Sequence, residues 1–172
     1  MKPPIYHTPR FTLQAYTPKD EDRFVEMSVD AVSVEFMGGA EGIEAEERAL
    51  FQRIFELYEK EDATRWFWIW GVYEGDRLCA HFELKETEHT EVGKELEIVY
   101  MVHPEERKRG IMTEVLAFLK EKQVEWKRQI IATVSPKNVF SIALLEKWGI
   151  EGKKWIEDEE ELEGGYWKIW LR

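Results

Sequence analysis

The chain has 172 residues, 44% hydrophobic and 13% aromatic, which is enough apolar material for a buried core and excludes a disordered chain despite 34% charged residues. A formal net charge of −11 argues against nucleic acid as a general partner, because neutralising phosphate needs a basic face, and leaves cationic partners open. No apolar run is long enough to span a bilayer, the start Met1-Lys2-Pro3-Pro4 lacks a signal-peptide core, and a lone Cys79 fits a reducing cytoplasm.

Phe11, Leu13 and Ala15 alternate with polar residues, so residues 8–16 read as a first strand. Thr17 offers a cap and Pro18 suits a first helical turn, after which Phe24, Met27, Ala31 and Val34 predict one amphipathic helix. Met37-Gly38-Gly39-Ala40 breaks it. A second helix covers residues 44–60, with Phe51, Ile54, Phe55 and Tyr58 on one face. Residues 65–73 read as a strand in which Trp66, Trp68 and Trp70 alternate. Glu74-Gly75-Asp76 turns the chain into a hairpin partner over 77–85, where Cys79 is expected to be inert packing.

Residues 96–102 form a β-branched, apolar central strand, and Pro104, with no N–H to donate, stops it. A charged turn follows (Glu105, Glu106, Arg107, Lys108, Arg109), then Gly110. Ile111, Val115, Phe118 and Leu119 then recur at helical spacing, with Glu114, Lys120 and Glu121 on the other faces. A helix N-terminus carries unpaired N–H groups and about half a positive charge. Gly110 among three cations therefore makes either a phosphate site or simply a solvated turn. Neither a Walker loop nor a GxGxxG spacing is present. Residues 129–134 read as a strand. The segment 138–148 reads as a helix with Ile142, Leu145 and Trp148 inward, ended by Gly149, and residues 152–156 and 166–171 as two last strands. This order predicts one α/β domain over 1–172, a mixed, mostly antiparallel sheet of about seven strands with about four helices on its faces.

Arg107-Lys108-Arg109-Gly110-Ile111-Met112 resembles the Gln/Arg-x-x-Gly-x-Gly/Ala motif of the GNAT superfamily of acyl-CoA-dependent N-acetyltransferases, with Met112 where Gly or Ala is usual. Gly110-Ile111-Met112-Thr113-Glu114 is similar to the wording of the branch that includes the ribosomal-protein N-terminal acetyltransferases. A second match is Asn138 to Ser141 followed by Glu146-Lys147-Trp148-Gly149-Ile150, against a family pattern of Asn-x-x-Ser leading to Glu-Lys-Leu-Gly-Phe. Pro9 to Leu13 and Pro18-Lys19-Asp20 look like the family's first strand and helix start, and the element order is that of the GNAT fold.

The resemblance implies acetyl-CoA as co-substrate. It assigns the pantetheine arm to the backbone of Met101, Val102 and His103, with the His103 ring expected to be exposed. It assigns the pyrophosphate to the turn and helix start formed by Arg107, Lys108, Arg109, Gly110, Ile111, Met112 and Thr113. Asn138 and Ser141 would touch the coenzyme, with Asn138 also a preferred helix cap. Glu97-Ile98-Val99-Tyr100 resembles the family's Glu-Ile-Gly-Tyr, which makes Glu97 the candidate base. Desolvation in an apolar strand would raise its pKa. The bland alternative is a glutamate facing solvent or paired with a lysine, and Glu95, on the same face, is the reserve. Many family members carry a tyrosine where this chain has Leu145, so Ser141 is left either to protonate the thiolate or to hydrogen-bond the sulfur.

His7, His81, His89 and His103 form no ligand-like cluster, and no metal is expected. Residues 157–163 hold six carboxylates and residues 41–47 four more. In the resembling fold these loops flank the acceptor groove, so they either attract a cationic amine or are solvated charge. The reading is an N-acetyltransferase that acetylates a primary amine (a protein N-terminus, a polyamine or another small amine) by direct attack in a ternary complex, as a monomer or homodimer. The alternative is a non-catalytic acyl-CoA-binding or interaction module of the same fold.

Overall fold

The computed structural model describes residues 2–37, 42–60, 66–159, 161 and 163–172. The chain forms two compact units, residues 1–83 with 100–111, and residues 84–99 with 112–172.

In the first unit, β1 (Tyr6–His7) pairs antiparallel with β2 (Thr12–Gln14), and β2 with β3 (Phe67–Glu74), Leu13 lying opposite Val72. Of the strand expected over 8–16, only Thr12–Gln14 is extended in the sheet, and β1, which precedes that range, was not expected. Thr8 N–H donates to the Phe11 carbonyl at 2.8 Å and Phe11 N–H to Thr8 Oγ1 at 3.1 Å, which closes a turn between them. β4 (Arg77–Lys85) neighbours β3, and the end of β5 (Glu95–Val102) neighbours β4.

Pro18 opens a one-turn 3-10 helix (Pro18–Asp20) with Thr17 at its N-cap, as expected. A capping box joins the two ends of the turn, and Asp20 Oδ2 accepts the Thr17 N–H and hydroxyl, both at 2.8 Å. The helix expected to reach Val34 divides into α1 (Glu21–Ser28) and α2 (Ala31–Phe36). Asp30 is the cause: its backbone is extended, and its carboxylate accepts the N–H groups of Val32 and Ser33 at 3.0 and 3.3 Å, an alternative to continued helix. The proposed breaker Gly38-Gly39-Ala40 lies outside the described residues, as do Glu41, Arg65 and Glu160. Phe24 and Met27 of α1 join Phe51 and Ile54 of α3 (Glu44–Glu59) in one core with Tyr16, Ile69, Tyr73, Leu78 and Met101. The Phe24 and Phe51 rings lie 5.1 Å apart. Each such burial is worth about 1.5–3 kcal/mol.

In the second unit, the first half of β5 runs parallel to β6 (Gln129–Val134), with Glu97 opposite Ile131. β6 pairs antiparallel with β8 (Gly165–Leu171), and β8 with β7 (Ile150–Glu157). Leu96, Ile130 and Leu171 form one fully buried row across these strands. α4 (Ile111–Trp126) buries Val115, Leu116 and Leu119, and α5 (Val139–Trp148) buries Leu145 and Trp148. The other sheet face carries Glu95, Glu97, Thr133, Lys168 and Trp170. The fold is therefore mixed α/β, with eight strands and five α-helices among the described residues; β1 and the divided first helix account for the excess over seven and four.

Candidate active site

The charged turn belongs to the first unit. β5 ends at Val102, His103 N–H donates to the Cys79 carbonyl at 3.0 Å, and Pro104–Glu106 makes one 3-10 turn. Arg107 (φ −62°, ψ 156°) and Lys108 (φ +63°) then reverse the chain with the φ values of a type II turn. Gly110 (φ +74°) leads directly into α4. Its left-handed backbone favours glycine.

The side chains of this turn divide into anchors and an exposed charge. Glu106, 2% exposed, receives Arg23 at 2.9 Å, Arg77 at 3.1 Å and Arg109. Arg109 also makes a two-oxygen contact with Glu74, at 2.8 and 2.9 Å, and holds that carboxyl below the ordinary range. Arg107 pairs with Asp30. Burial works against the Asp30 charge, but the Arg107 guanidinium prevails and keeps that carboxyl low. Among the described residues Lys108 has no ion-pair partner, and it is exposed. Of the three cations expected around a ligand, Arg107 and Arg109 have side chains engaged by carboxylates while their backbone stays in the turn.

Arg10 was not anticipated. It donates to the Arg109 carbonyl at 3.1 Å, and a Cβ added to Gly110 would meet only Arg10 Nη2, at 3.6 Å. The backbone there is open apart from a guanidinium, which fits a phosphate ester approaching the N–H groups of the turn. Ile111 is buried, and so is Met112, at 5% exposure; its bulk, unusual for the motif, is packed inside. Thr113 is exposed. Met101 is buried and Val102 half-buried. The His103 ring is buried, contrary to expectation: Nδ1 accepts the Glu105 N–H that starts the 3-10 turn, and Nε2 lies 3.0 Å from Glu26 Oε2. Cys79 is fully buried, and burial pushes its thiol up.

In the second unit Glu97 is 4% exposed and held from both sides. Thr87 Oγ1 donates to Oε2 at 2.6 Å, and Thr133 Oγ1 donates to Oε1. It does not face solvent, and among the described residues it has no lysine partner. Glu95 does pair with one. It accepts from Lys168 Nζ and Trp170 Nε1, both at 2.7 Å, and from Glu91 N–H at 2.8 Å. Burial opposes the Glu95 charge, yet these donors hold its carboxyl below the ordinary range, which makes it a structural ion.

Tyr166 Oη lies 3.0 Å from His89 Nδ1. Burial, then the charges of Asp158, Glu97, Glu88 and Glu161, keep its phenol protonated above the usual range. Glu163 of the acidic segment pairs with Lys137 at 2.6 Å. Asn138 Oδ1 accepts Ser141 N–H at 3.1 Å and caps α5, as expected; Ser141 is half-buried, and Leu145, at 1% exposure, is core. Among the described residues no group of three or more His, Cys, Asp or Glu side chains could hold a metal ion. No helix there is long and apolar enough to cross a membrane.

Known proteins agree with this architecture. A GNAT acetyltransferase domain model matches residues 10–151. No curated protein sequence matches the chain. Among solved structures, a GNAT-family acetyltransferase from Bacillus anthracis superposes with a TM-score of 0.71 at 20% identity, covering 97% of this chain and 95% of that one. A GnaT-family acetyltransferase from Bordetella pertussis gives 0.74 at 14% identity, covering 99% and 100%. RimL, a ribosomal L7/L12 α-N-protein acetyltransferase in complex with coenzyme A, gives 0.72 at 15%, covering 98% and 97%. At these identities the structures are likenesses of fold; the domain match, spanning most of the chain and both motifs, places the chain in the GNAT acetyltransferase family, acyltransferases whose acetyl donor is acetyl-CoA.

Proposed function

We propose that this acyltransferase acetylates a primary amine, with Glu97 as the base, and that the acceptor is cationic: a protein N-terminus, a polyamine or another small amine. The observation that carries the reading is Glu97 itself, a carboxylate 4% exposed and oriented by two threonine hydroxyls on the strand that leads to the turn. An amine is protonated at neutral pH and cannot attack until it loses that proton. Each oxygen of Glu97 accepts one hydroxyl and retains a lone pair, so the group can take the proton directly or through a water.

Acetyl-CoA supplies the acetyl group as a thioester. The amine nitrogen bonds to the carbonyl carbon and releases its second proton to solvent as the carbon–sulfur bond breaks. The backbone at Met101 to His103 is assigned to the pantetheine arm, and Ser141 gives a proton to the departing sulfur. Glu97 and Ser141 then return to their starting states by exchange with solvent, leaving an amide and a thiol. The carboxylates of Asp158, Glu97, Glu88 and Glu161, which act together on Tyr166, favour a cation on this face.

The test is an acceptor panel. The full chain, acetyl-CoA, and a basic peptide, a polyamine or a neutral primary amine are incubated, and thiol release is compared with acetylated product by mass spectrometry. Thiol and acetylated amine should form in equal amounts, faster with the cationic acceptors. Thiol release no faster than background hydrolysis with every amine would overturn the proposal.

A further inference from the structure

Glu97 stands on β5, but half of what holds it comes from residues 86–94, the connection that leads into that strand. Thr87 Oγ1 donates to Glu97 Oε2 at 2.6 Å and itself accepts the His89 N–H at 3.1 Å. Thr90 closes this turn: its Oγ1 accepts the Thr87 N–H at 2.9 Å and donates to the Thr87 carbonyl at 2.8 Å. His89 then ties the turn to β8 at two points. Its carbonyl accepts Lys168 Nζ at 2.6 Å, and its ring Nδ1 lies 3.0 Å from Tyr166 Oη, with the two rings edge to face at 5.3 Å. The other ring nitrogen is 3.4 Å from a carboxylate oxygen of Glu88, a side chain that is mostly exposed. Tyr166 and Lys168 alternate onto the sheet face that carries Glu97.

We infer that His89 and Tyr166 are positioning residues for acetyl transfer: the bond between their side chains latches the 87–90 turn onto β8 and so keeps the Thr87 hydroxyl on the base. The inference rests on the proposal that Glu97 is that base, and adds two residues that lie outside both sequence motifs. The two hydroxyls on Glu97 are held differently. Thr133 is fixed by strand pairing within β6, opposite Lys168. Thr87 lies outside any strand, so its place depends on the bonds that its own turn makes. The His89 N–H occupies a lone pair of the Thr87 oxygen, which leaves the hydroxyl hydrogen for the carboxylate. Losing the latch lets His89 and the turn shift, and Glu97 is then aimed from one side only. A base displaced by a fraction of an ångström from the acceptor nitrogen loses rate without losing the coenzyme. Lys168 also pairs with Glu95, so removing it would disturb a second carboxylate, whereas the latch can be cut by deleting one phenol oxygen.

Steady-state kinetics of the full chain with acetyl-CoA and the best acceptor of the panel test it. Tyr166→Phe and His89→Leu should each lower kcat by about three- to thirtyfold, with the dissociation constant for CoA near the parent. His89→Asn, whose amide can still bond the phenol, should keep most of the rate that leucine loses. A cycle with Glu97→Gln separates positioning from a general effect on the fold. In that background Tyr166→Phe should change the residual rate by less than about twofold, because no base is left to aim. Parental kcat in Tyr166→Phe and His89→Leu, beside an impaired Glu97→Gln, would overturn the inference and leave the base in place. Equal proportional losses in both backgrounds, or His89→Asn as slow as His89→Leu, would overturn it as well. Parental kcat in Glu97→Gln would overturn the base assignment and this inference with it.

Discussion

Glu106→Gln removes the charge on which three arginines converge while keeping the side chain's size. Breaking a buried ion pair by deleting one partner costs about 3–5 kcal/mol. Here Glu106 is 3% exposed at its side chain, but Arg23, Arg77 and Arg109 are 24%, 51% and 34% exposed. They can recover water, and they keep Glu105 and Glu74 as partners. The cost should therefore fall to about 2–3 kcal/mol. For a chain of this length that is a loss of about 4–12 °C in melting temperature. Thermal unfolding of the ligand-free protein at neutral pH, followed by circular dichroism, measures it. Glu105→Gln is the control: that side chain is 73% exposed, so a change under about 0.5 kcal/mol is expected. A Glu106→Gln shift below about 2 °C, or one equal to the control, would refute the reasoning that this carboxylate anchors the turn.

Two further perturbations probe the neighbouring parts of the account. Glu95 titrates lower in the folded chain than in the unfolded one, so the unfolded state binds the extra proton in acid; the resulting stabilisation is complete above about pH 4.3 and is lost as pH falls through the folded value. Lys168→Met removes one donor that lowers it, so the acid-unfolding midpoint, followed by tryptophan fluorescence, should move to higher pH; an unchanged or lower midpoint contradicts the assignment. Gly110→Ala places a Cβ in a left-handed backbone at about 1–2 kcal/mol, since its contact with Arg10 at 3.6 Å is ordinary. A melting temperature lowered by about 2–8 °C, together with weaker CoA binding, is expected, and an unchanged protein would refute the need for glycine.

Most elements were legible in the sequence because each has its own local signal. The α3 stripe of Phe51 and Ile54, the stop at Pro104 and the Asn138 cap all act within a few residues. The errors also have local causes, seen only with coordinates. Asp30 carries no helix-breaking signature beyond being a good cap, yet it ends one helix and starts another, its carboxylate taking the Val32 and Ser33 N–H groups and also pairing with Arg107. His103 reads as a strand-end histidine, but the turn after it folds Glu105 N–H onto its ring. For the site, Glu97 was singled out because Glu97-Ile98-Val99-Tyr100 resembles the family's motif, whereas its partners Thr87 and Thr133 were not anticipated. A connecting loop and β6 meet that carboxylate only through pairing register. Arg10 was missed for the same reason, since no periodicity links position 10 to position 109.

The most direct test of the central claim, that Glu97 deprotonates the acceptor amine, is the steady-state rate of Glu97→Gln with the best acceptor from the panel, set beside its CoA affinity. Glutamine keeps the shape and can still accept from Thr87 and Thr133, but it cannot take a proton at neutral pH. The account predicts kcat lower by about a hundredfold or more, with the dissociation constant for CoA and the melting temperature close to the parent. A variant that retains parental kcat while binding CoA normally would contradict it.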